Sequence, residues 1–315
     1  MKEKLNKVAI SFSIKDLEEL TGVKAHTIRI WENRYNLIEP NRTSTNIRRY
    51  NMEQLHMLLN VSLLNRNGEK ISKIAKCSSE EISIKVLTLA NTKSSIEKHI
   101  NDLKIAAINF DIIQFNHVIN SLLKDHSFHD VFLDILIPFL DYVGLLWQSK
   151  VLNPSHEHFV SNLIKQKLHY QTELISNDFA QSKVLFIPFL PLNEIHELGL
   201  LFLHYKILNM GYESIYLGQS VPMEDLVQFA SRKKKVVYVS AFTVAPSDES
   251  ALEYIQKMHE LIPLKQADEM WFSGNKTRNI TNGELPRSCS VFDSFKEVFE
   301  RMEDLESSTT LINKS

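Results

Sequence analysis

The stretch Pro188-Phe189-Leu190-Pro191-Leu192-Asn193-Glu194-Ile195-His196-Glu197-Leu198-Gly199 decides how the C-terminal half of the chain reads. It follows an apolar run, Lys183-Val184-Leu185-Phe186-Ile187, and precedes a helical pattern that begins at Leu200. Strand, loop and helix in that order put the loop at the C-terminal edge of an α/β sheet, where such sheets bind ligands. The loop offers one imidazole, His196, flanked by Glu194 and Glu197. A neutral ring nitrogen is a good ligand for a transition metal, and a nearby carboxylate orients the ring and makes it more basic. Gly199 would let a bulky ligand approach the backbone at the helix start. An exposed loop histidine with no ligand is the other reading of the same residues.

Downstream, short apolar runs keep alternating with helical patterns. Ser214 to Leu217 precedes Met223 to Ser231, Val236 to Val239 precedes Glu249 to Leu261, and Glu269 to Phe272 and Ser290 to Phe292 precede Phe295 to Met302. This alternation predicts a flavodoxin-like parallel sheet over residues 182–304, covered on both faces. Residues 305–315 read as a disordered tail.

Upstream, residues 79–178 are read as a linker, Asn91 to Ser94, and a helical bundle. Breaks fall near Asn109-Phe110-Asp111, Asp125-His126-Ser127 and Val151-Leu152-Asn153-Pro154, which gives four helices with short connections. Phe115, Val118, Leu122, Leu123, Phe132, Leu136 and Phe139 recur at helical spacing and read as core. Trp147 ends the third helix, and Ser155-His156-Glu157-His158 opens the fourth with Ser155 as its cap.

Residues 1–78 read as a helix-turn-helix with a wing. Ser13 and Asp16 form a cap signature, Thr21-Gly22-Val23 is a tight turn, and a second helix runs from Lys24 to Tyr35. Ile28, Trp31 and Tyr35 share its core face, which leaves Lys24, His26, Thr27, Arg29 and Arg34 outside or at the edge. The turn-rich segment that follows carries Arg42, Arg48, Arg49 and Tyr50, suited to lie along phosphates.

Composition sets the outer bounds. The chain has 315 residues, 43% hydrophobic and 23% charged, enough for two or three globular domains. The net charge of −2 is uneven: residues 1–75 carry 13 Lys and Arg against 8 Asp and Glu. A basic N-terminal part on an acidic body points to a polyanion partner for that part. Cys77 and Cys289 are far apart, which fits a reducing cytoplasm and no disulfide framework. No signal peptide is read, and the most apolar long stretch, Val131 to Trp147, is broken by Asp134, Pro138 and Asp141, so it reads as a buried helix.

Taken in order, Leu20-Thr21-Gly22-Val23, Thr27-Ile28-Arg29-Ile30-Trp31-Glu32, Leu37-Ile38-Glu39-Pro40 and Arg48-Arg49-Tyr50 resemble the MerR winged-helix family. The resemblance implies that the helix from Lys24 enters the major groove of a palindromic operator and that Arg48 and Tyr50 clamp the backbone. Glu194-x-His196-x-x-Gly199 resembles the lower-ligand motif of cobalamin-binding domains, in which the histidine binds cobalt. Trp147, nine residues, then Glu157-His158 is similar to the cap of MerR-type, cobalamin-dependent light-sensing carotenoid-gene repressors. By that resemblance Trp147 shields the upper face of the cofactor, and Glu157 and His158 contact its upper group. Ser240, at the third strand end, and Gly274, at the fourth, match positions that receive the nucleotide tail.

Light-sensing members place a histidine after the tryptophan, where this chain has Gln148. A pair of glycines is usual where it has Ser273-Gly274-Asn275. The resemblance thus implies a cytoplasmic, non-enzymatic, DNA-binding regulator, with repression as the default. Its dimeric or tetrameric assembly would be controlled by adenosylcobalamin or methylcobalamin held between bundle and sheet. Two alternatives stand beside it: a cofactor-free regulator that uses its C-terminal half for dimerisation or a partner protein, and a corrinoid methyl carrier.

Overall fold

Ser13 opens the first helix, α1 (Ile14–Thr21), through a complete capping box. Its Oγ accepts the Asp16 N–H at 3.2 Å, and Asp16 Oδ2 accepts the Ser13 N–H at 2.6 Å. Gly22 ends the helix at φ +69°, a left-handed conformation that favours glycine. The next helix, α2 (Ala25–Tyr35), has no side-chain cap of its own. Glu18 of α1 supplies one, accepting the Ala25 N–H at 3.0 Å and tying the two helices across the turn. The wing is an antiparallel pair, β1 (Asn41–Arg42) and β2 (Arg48–Arg49). Three helices follow: α3 (Met52–Arg66), α4 (Ile71–Ile74) and α5 (Ser79–Ala90).

This computed structural model describes residues 12–43, 46–90, 95–148, 152–175, 179, 182–247 and 249–312. The linker expected at 91–94 lies outside the described residues. Contacts divide the chain into two units, Met1–Leu163 and Ile164–Ser315.

The winged helix and the bundle share the first unit, except that the last bundle helix passes into the second unit at Ile164. The bundle comprises α6 (Ser95–Asn109), α7 (Ile112–Leu122), a helix of two parts, α8 (Phe128–Val131) and α9 (Ile137–Gln148), and α10 (Pro154–Glu173). A π-helical turn, Phe132–Leu136, joins α8 to α9. It sits where Pro138 lacks an N–H and its ring would press on the Asp134 carbonyl, and the widened turn relieves that clash. Phe115, Val118, Leu122, Phe132, Leu136 and Phe139 are buried as the periodicity predicts, while Leu123 is half-buried. Asn153 rather than Ser155 caps α10: its Oδ1 accepts the Ser155 N–H at 3.1 Å, with Pro154 at the first helical position. Bundle and head touch through Tyr142 of α9, whose hydroxyl donates to the Leu20 carbonyl.

The second unit is built on a six-stranded sheet. In chain order it has β3 (Val184–Pro191), α11 (Leu198–Asn209), β4 (Glu213–Ser214), β5 (Gly218–Val221), β6 (Lys235–Ala241), α12 (Ala251–Leu261), β7 (Glu269–Ser273), β8 (Cys289–Phe292) and α13 (Phe295–Ile312). The order β4-β3-β6-β7-β8, with β5 also on β3 and every pairing parallel, is the doubly wound arrangement. Met223–Ser231 forms 3-10 turns.

Several boundaries differ from expectation, and the strand read over Ser214 to Leu217 is instead two short strands, β4 and β5, on either side of residues 215–217. The strand expected to stop at Ile187 runs on to Pro191. Its neighbour changes from β4, opposite Leu185 and Phe186, to β5, opposite Phe189 and Pro191. Pro188 falls at that change, where no ladder N–H is called for, and its carbonyl still accepts the Leu217 N–H at 2.9 Å. At the other end α13 continues to Ile312, so most of the expected disordered tail from 305 is helical, with no Gly or Pro to stop it. Among the described residues, no helix is long and apolar enough to cross a membrane.

Candidate functional site

Lys24, at the N-cap of α2, and His26, Arg29 and Arg34 on the helix are exposed, with Thr27 half-buried beside them. Ile28, Trp31 and Glu32 occupy the opposite, buried side. Lys24 pairs with Glu18 at 3.0 Å, His26 lies 3.3 Å from the Thr27 hydroxyl, and Arg34 stacks over Tyr35 at 5.5 Å. On the wing, Arg42 and Arg49 are exposed, and Arg42 Nη1 donates to Asn46 Oδ1 at 2.8 Å.

Tyr50 and Arg48 sit differently from the expectation that both face phosphate. Tyr50 is 1% exposed and its hydroxyl donates to Glu32. Arg48 is half-buried and its Nε donates to the other Glu32 oxygen at 3.1 Å. Burial and the neighbouring Glu32 carboxylate raise the Tyr50 phenol far above its usual range. Tyr50 is therefore a core residue that fixes the wing against α2. Glu32, a carboxylate on the buried face of an amphipathic helix, was the signal for such a partner.

At the C-terminal edge of β3, Glu194 is fully buried and His196 is half-exposed. Glu194 Oε1 lies 2.6 Å from His196 Nδ1 and accepts the N–H groups of Ile195 and His196 at 3.1 and 3.0 Å. Oε2 accepts the N–H groups of Thr243, Val244 and Ala245 at 2.9, 2.7 and 3.0 Å. Burial would raise the carboxyl, but the Ala245 and Val244 N–H groups and the His196 ring more than offset it and hold it at about 2. An ionised carboxylate can only accept, so His196 Nδ1 is the donor in this contact and Nε2 is the ring nitrogen that Glu194 does not engage. The result is an oriented imidazole with Nε2 unused by Glu194. The loop after β6 that completes the cradle was missed in the sequence, because its donors lie 49 to 51 positions away.

The other site positions fall as follows. Ser240, at the end of β6, is fully buried, and its Oγ has no hydrogen-bond partner among the described residues. The space beside Gly199 holds protein, since a Cβ there would meet Phe295 Cζ at 3.3 Å. Gly274 has φ +109°, and its Cβ would lie 2.5 Å from the Phe242 carbonyl oxygen. Both glycines therefore admit the protein's own groups where a ligand was expected. Glu157 and His158 open α10 in the first unit and pair at 2.9 Å. Trp147 closes α9, and the side chains of Trp147 and Gln148 lie outside the described residues. A cavity of about 590 Å³ opens beside the His196 loop, against Pro191, Leu192, Asn193, Pro246 and Tyr254.

The winged helix-turn-helix, the helical bundle and the doubly wound sheet are together similar to the make-up of MerR-type chains with a B12-binding region. Residues 12–81 match the MerR HTH family regulatory protein model, and residues 99–171 match the B12 binding domain model. The chain is 26% identical over 276 residues to the HTH-type transcriptional repressor CarH of Myxococcus xanthus, covering 85% of this chain and 90% of that protein. Among solved structures it resembles the monomethylamine corrinoid protein of Methanosarcina barkeri. That likeness has a TM-score of 0.55 at 15% identity, covers 66% of this chain and 99% of the other, and is one of fold.

The residues present fit a corrinoid at the His196 loop. The imidazole is held at Nδ1 with Nε2 unused by its carboxylate partner, which suits a histidine that would hold a metal. The orphaned Ser240 hydroxyl is a second point of fit, because an unpaired buried polar group costs about 1–3 kcal/mol that a ligand hydrogen bond would recover.

Proposed function

We propose that this chain is a cytoplasmic DNA-binding transcriptional regulator, and a repressor by default. Bound cobalamin governs its assembly on a palindromic operator. The observation that carries the sensor half is the buried Glu194 carboxylate holding His196 at Nδ1. The exposed cationic side of α2 supports the DNA half.

In this reading Lys24, His26, Thr27 and Arg29 enter the major groove, where base edges specify sequence. Arg34, Arg42 and Arg49 meet phosphates, which supply affinity. Arg48 reaches the backbone from its anchor on Glu32, and Tyr50 sets the wing from beneath. His196 Nε2 would hold the cobalt, Glu194 orients the ring through Nδ1, and Ser240 would bond the nucleotide tail. Trp147, Glu157 and His158 are assigned to the upper face. When bound, the corrinoid would supply a cobalt centre for the His196 imidazole to hold, and the state of that centre is what the chain would sense. Repression follows if the loaded protein assembles, because a second DNA head on one oligomer binds as an intramolecular event and grips far more tightly than one head alone.

The test is binding to double-stranded DNA selected from a random pool, with and without adenosylcobalamin in dim light. The expected outcome is an affinity difference of about 5-fold or more, the usual scale of a coupling between sites. Identical isotherms would contradict the proposal.

A further inference from the structure

Glu197 follows His196 directly, and its carboxylate is shared by two groups from other elements. Oε1 accepts from Lys165 Nζ of α10 at 2.8 Å, and Oε2 accepts from the Tyr216 hydroxyl at 3.1 Å. The Lys165 and Glu197 side chains are 27% and 17% exposed, so the pair is largely out of water. Exposed Lys–Glu pairs contribute little. A mostly buried pair is different, since removing one partner strands the other's charge. Glu197 is also the pivot of the loop: its N–H donates to the Ile195 carbonyl at 2.9 Å, and its carbonyl accepts the Leu201 N–H of α11 at 2.8 Å. The Ile195 carbonyl takes a second bond, from Gln219 Nε2, at 3.0 Å. His196 is therefore fixed from both sides. Glu194 holds its ring, and Glu197 holds the backbone that carries it.

We infer that Lys165 and Tyr216, acting through Glu197, are positioning residues that set where His196 Nε2 points and hence how firmly it ligates cobalt. The inference rests on the cofactor reading above. Partners outside the ligand set often govern affinity by 10- to 100-fold, and a group that fixes the ligand's backbone belongs to that class. A pair that merely packs α10 on α11 would alter stability and leave the ligation untouched.

Full-length wild type, Lys165→Met, Lys165→Arg and Tyr216→Phe are titrated with methylcobalamin in dim light. Absorbance separates cobalt bound to imidazole from cobalt free of it, and thermal midpoints are recorded alongside. Lys165→Met is expected to bind about 10-fold more weakly, with part of the bound corrinoid free of imidazole. Lys165→Arg should restore both. Tyr216→Phe removes one oxygen and should shift the spectrum in the same direction by less, and it decides the matter if Lys165→Met does not fold. Wild-type affinity and spectrum in both Lys165→Met and Tyr216→Phe would overturn the inference. So would weaker binding in which all bound corrinoid remains imidazole-ligated and Lys165→Arg gives no rescue. Failure of wild type itself to take up methylcobalamin would remove the cofactor reading and this inference with it, and would be told apart by the arm in which it occurs.

Discussion

The buried Glu194 carboxylate and the half-exposed His196 imidazole meet at 2.6 Å, with five backbone N–H groups completing the shell around Glu194. Glutamine in place of Glu194 keeps the shape but turns an N–H₂ group toward donors. Glu194→Gln should weaken cobalamin binding about 10- to 100-fold. It should also lower stability by about 2 kcal/mol, the cost of stranding buried donors. An absorbance titration and a urea unfolding curve read the two effects separately.

The winged-helix region carries two kinds of residue. Glu32 binds Tyr50 and Arg48 from the buried side of α2, so Glu32→Ala breaks a buried network. It should cost about 3 kcal/mol and loosen the wing. Arg42 and Arg49 are exposed, so alanine at either should leave unfolding unchanged within about 0.5 kcal/mol. Each should instead reduce the slope of log affinity against log salt by about 1, the signature of one phosphate contact. An unchanged slope in both would move the wing off the DNA.

His204, on α11, is pressed against Tyr216, with Nδ1 2.8 Å from the Ser214 hydroxyl. Burial, helped by His169, pulls its pKa from 6.5 down to about 4. The folded protein thus holds this ring neutral where the unfolded chain would protonate it. Its contribution to stability is complete above pH 6.5 and is lost as pH falls toward about 4, by about 2–3 kcal/mol across the window. His204→Leu should flatten that part of the stability profile, as followed by chemical unfolding at a series of pH values.

Gly274 and Gly199 differ in what a methyl group would meet. At Gly274 it strikes the Phe242 backbone at a φ that side chains avoid. At Gly199 it touches the far edge of the Phe295 ring, which can give. Gly274→Ala should therefore destabilise by about 2 kcal/mol or more, and Gly199→Ala by less than about 1 kcal/mol. Unfolding midpoints of the two variants check the ranking.

What was legible in the sequence follows from distance along the chain. Glu194, His196 and Glu197 share one loop, so a carboxylate beside the ring was legible, but that Glu194 takes it while Glu197 turns to Lys165 and Tyr216 was not. The Thr243–Ala245 donors that keep Glu194 ionised arrive through sheet topology and left no local mark. Doubly wound topology was readable because strand and helix patterns alternate, yet the end of β3 was misplaced, since Pro188 looks like a stop until its neighbour strand is known to change there. Tyr50 read as a phosphate clamp because an aromatic beside arginines on a wing fits that use. Its burial against Glu32, 18 residues back, is a tertiary fact. Ser155 looked like the α10 cap, but Asn153 precedes Pro154 and takes the role, because proline suits the first helical position.

The most direct test of cobalamin-governed assembly is size-exclusion chromatography of the full-length protein in dim light, with corrinoid and protein absorbance followed together. Wild type loaded with adenosylcobalamin should elute as a coloured species larger than the cofactor-free protein, and His196→Ala should elute colourless at the cofactor-free position. Colourless wild type with every cobalamin form, or coloured wild type with no change in size, would contradict the account.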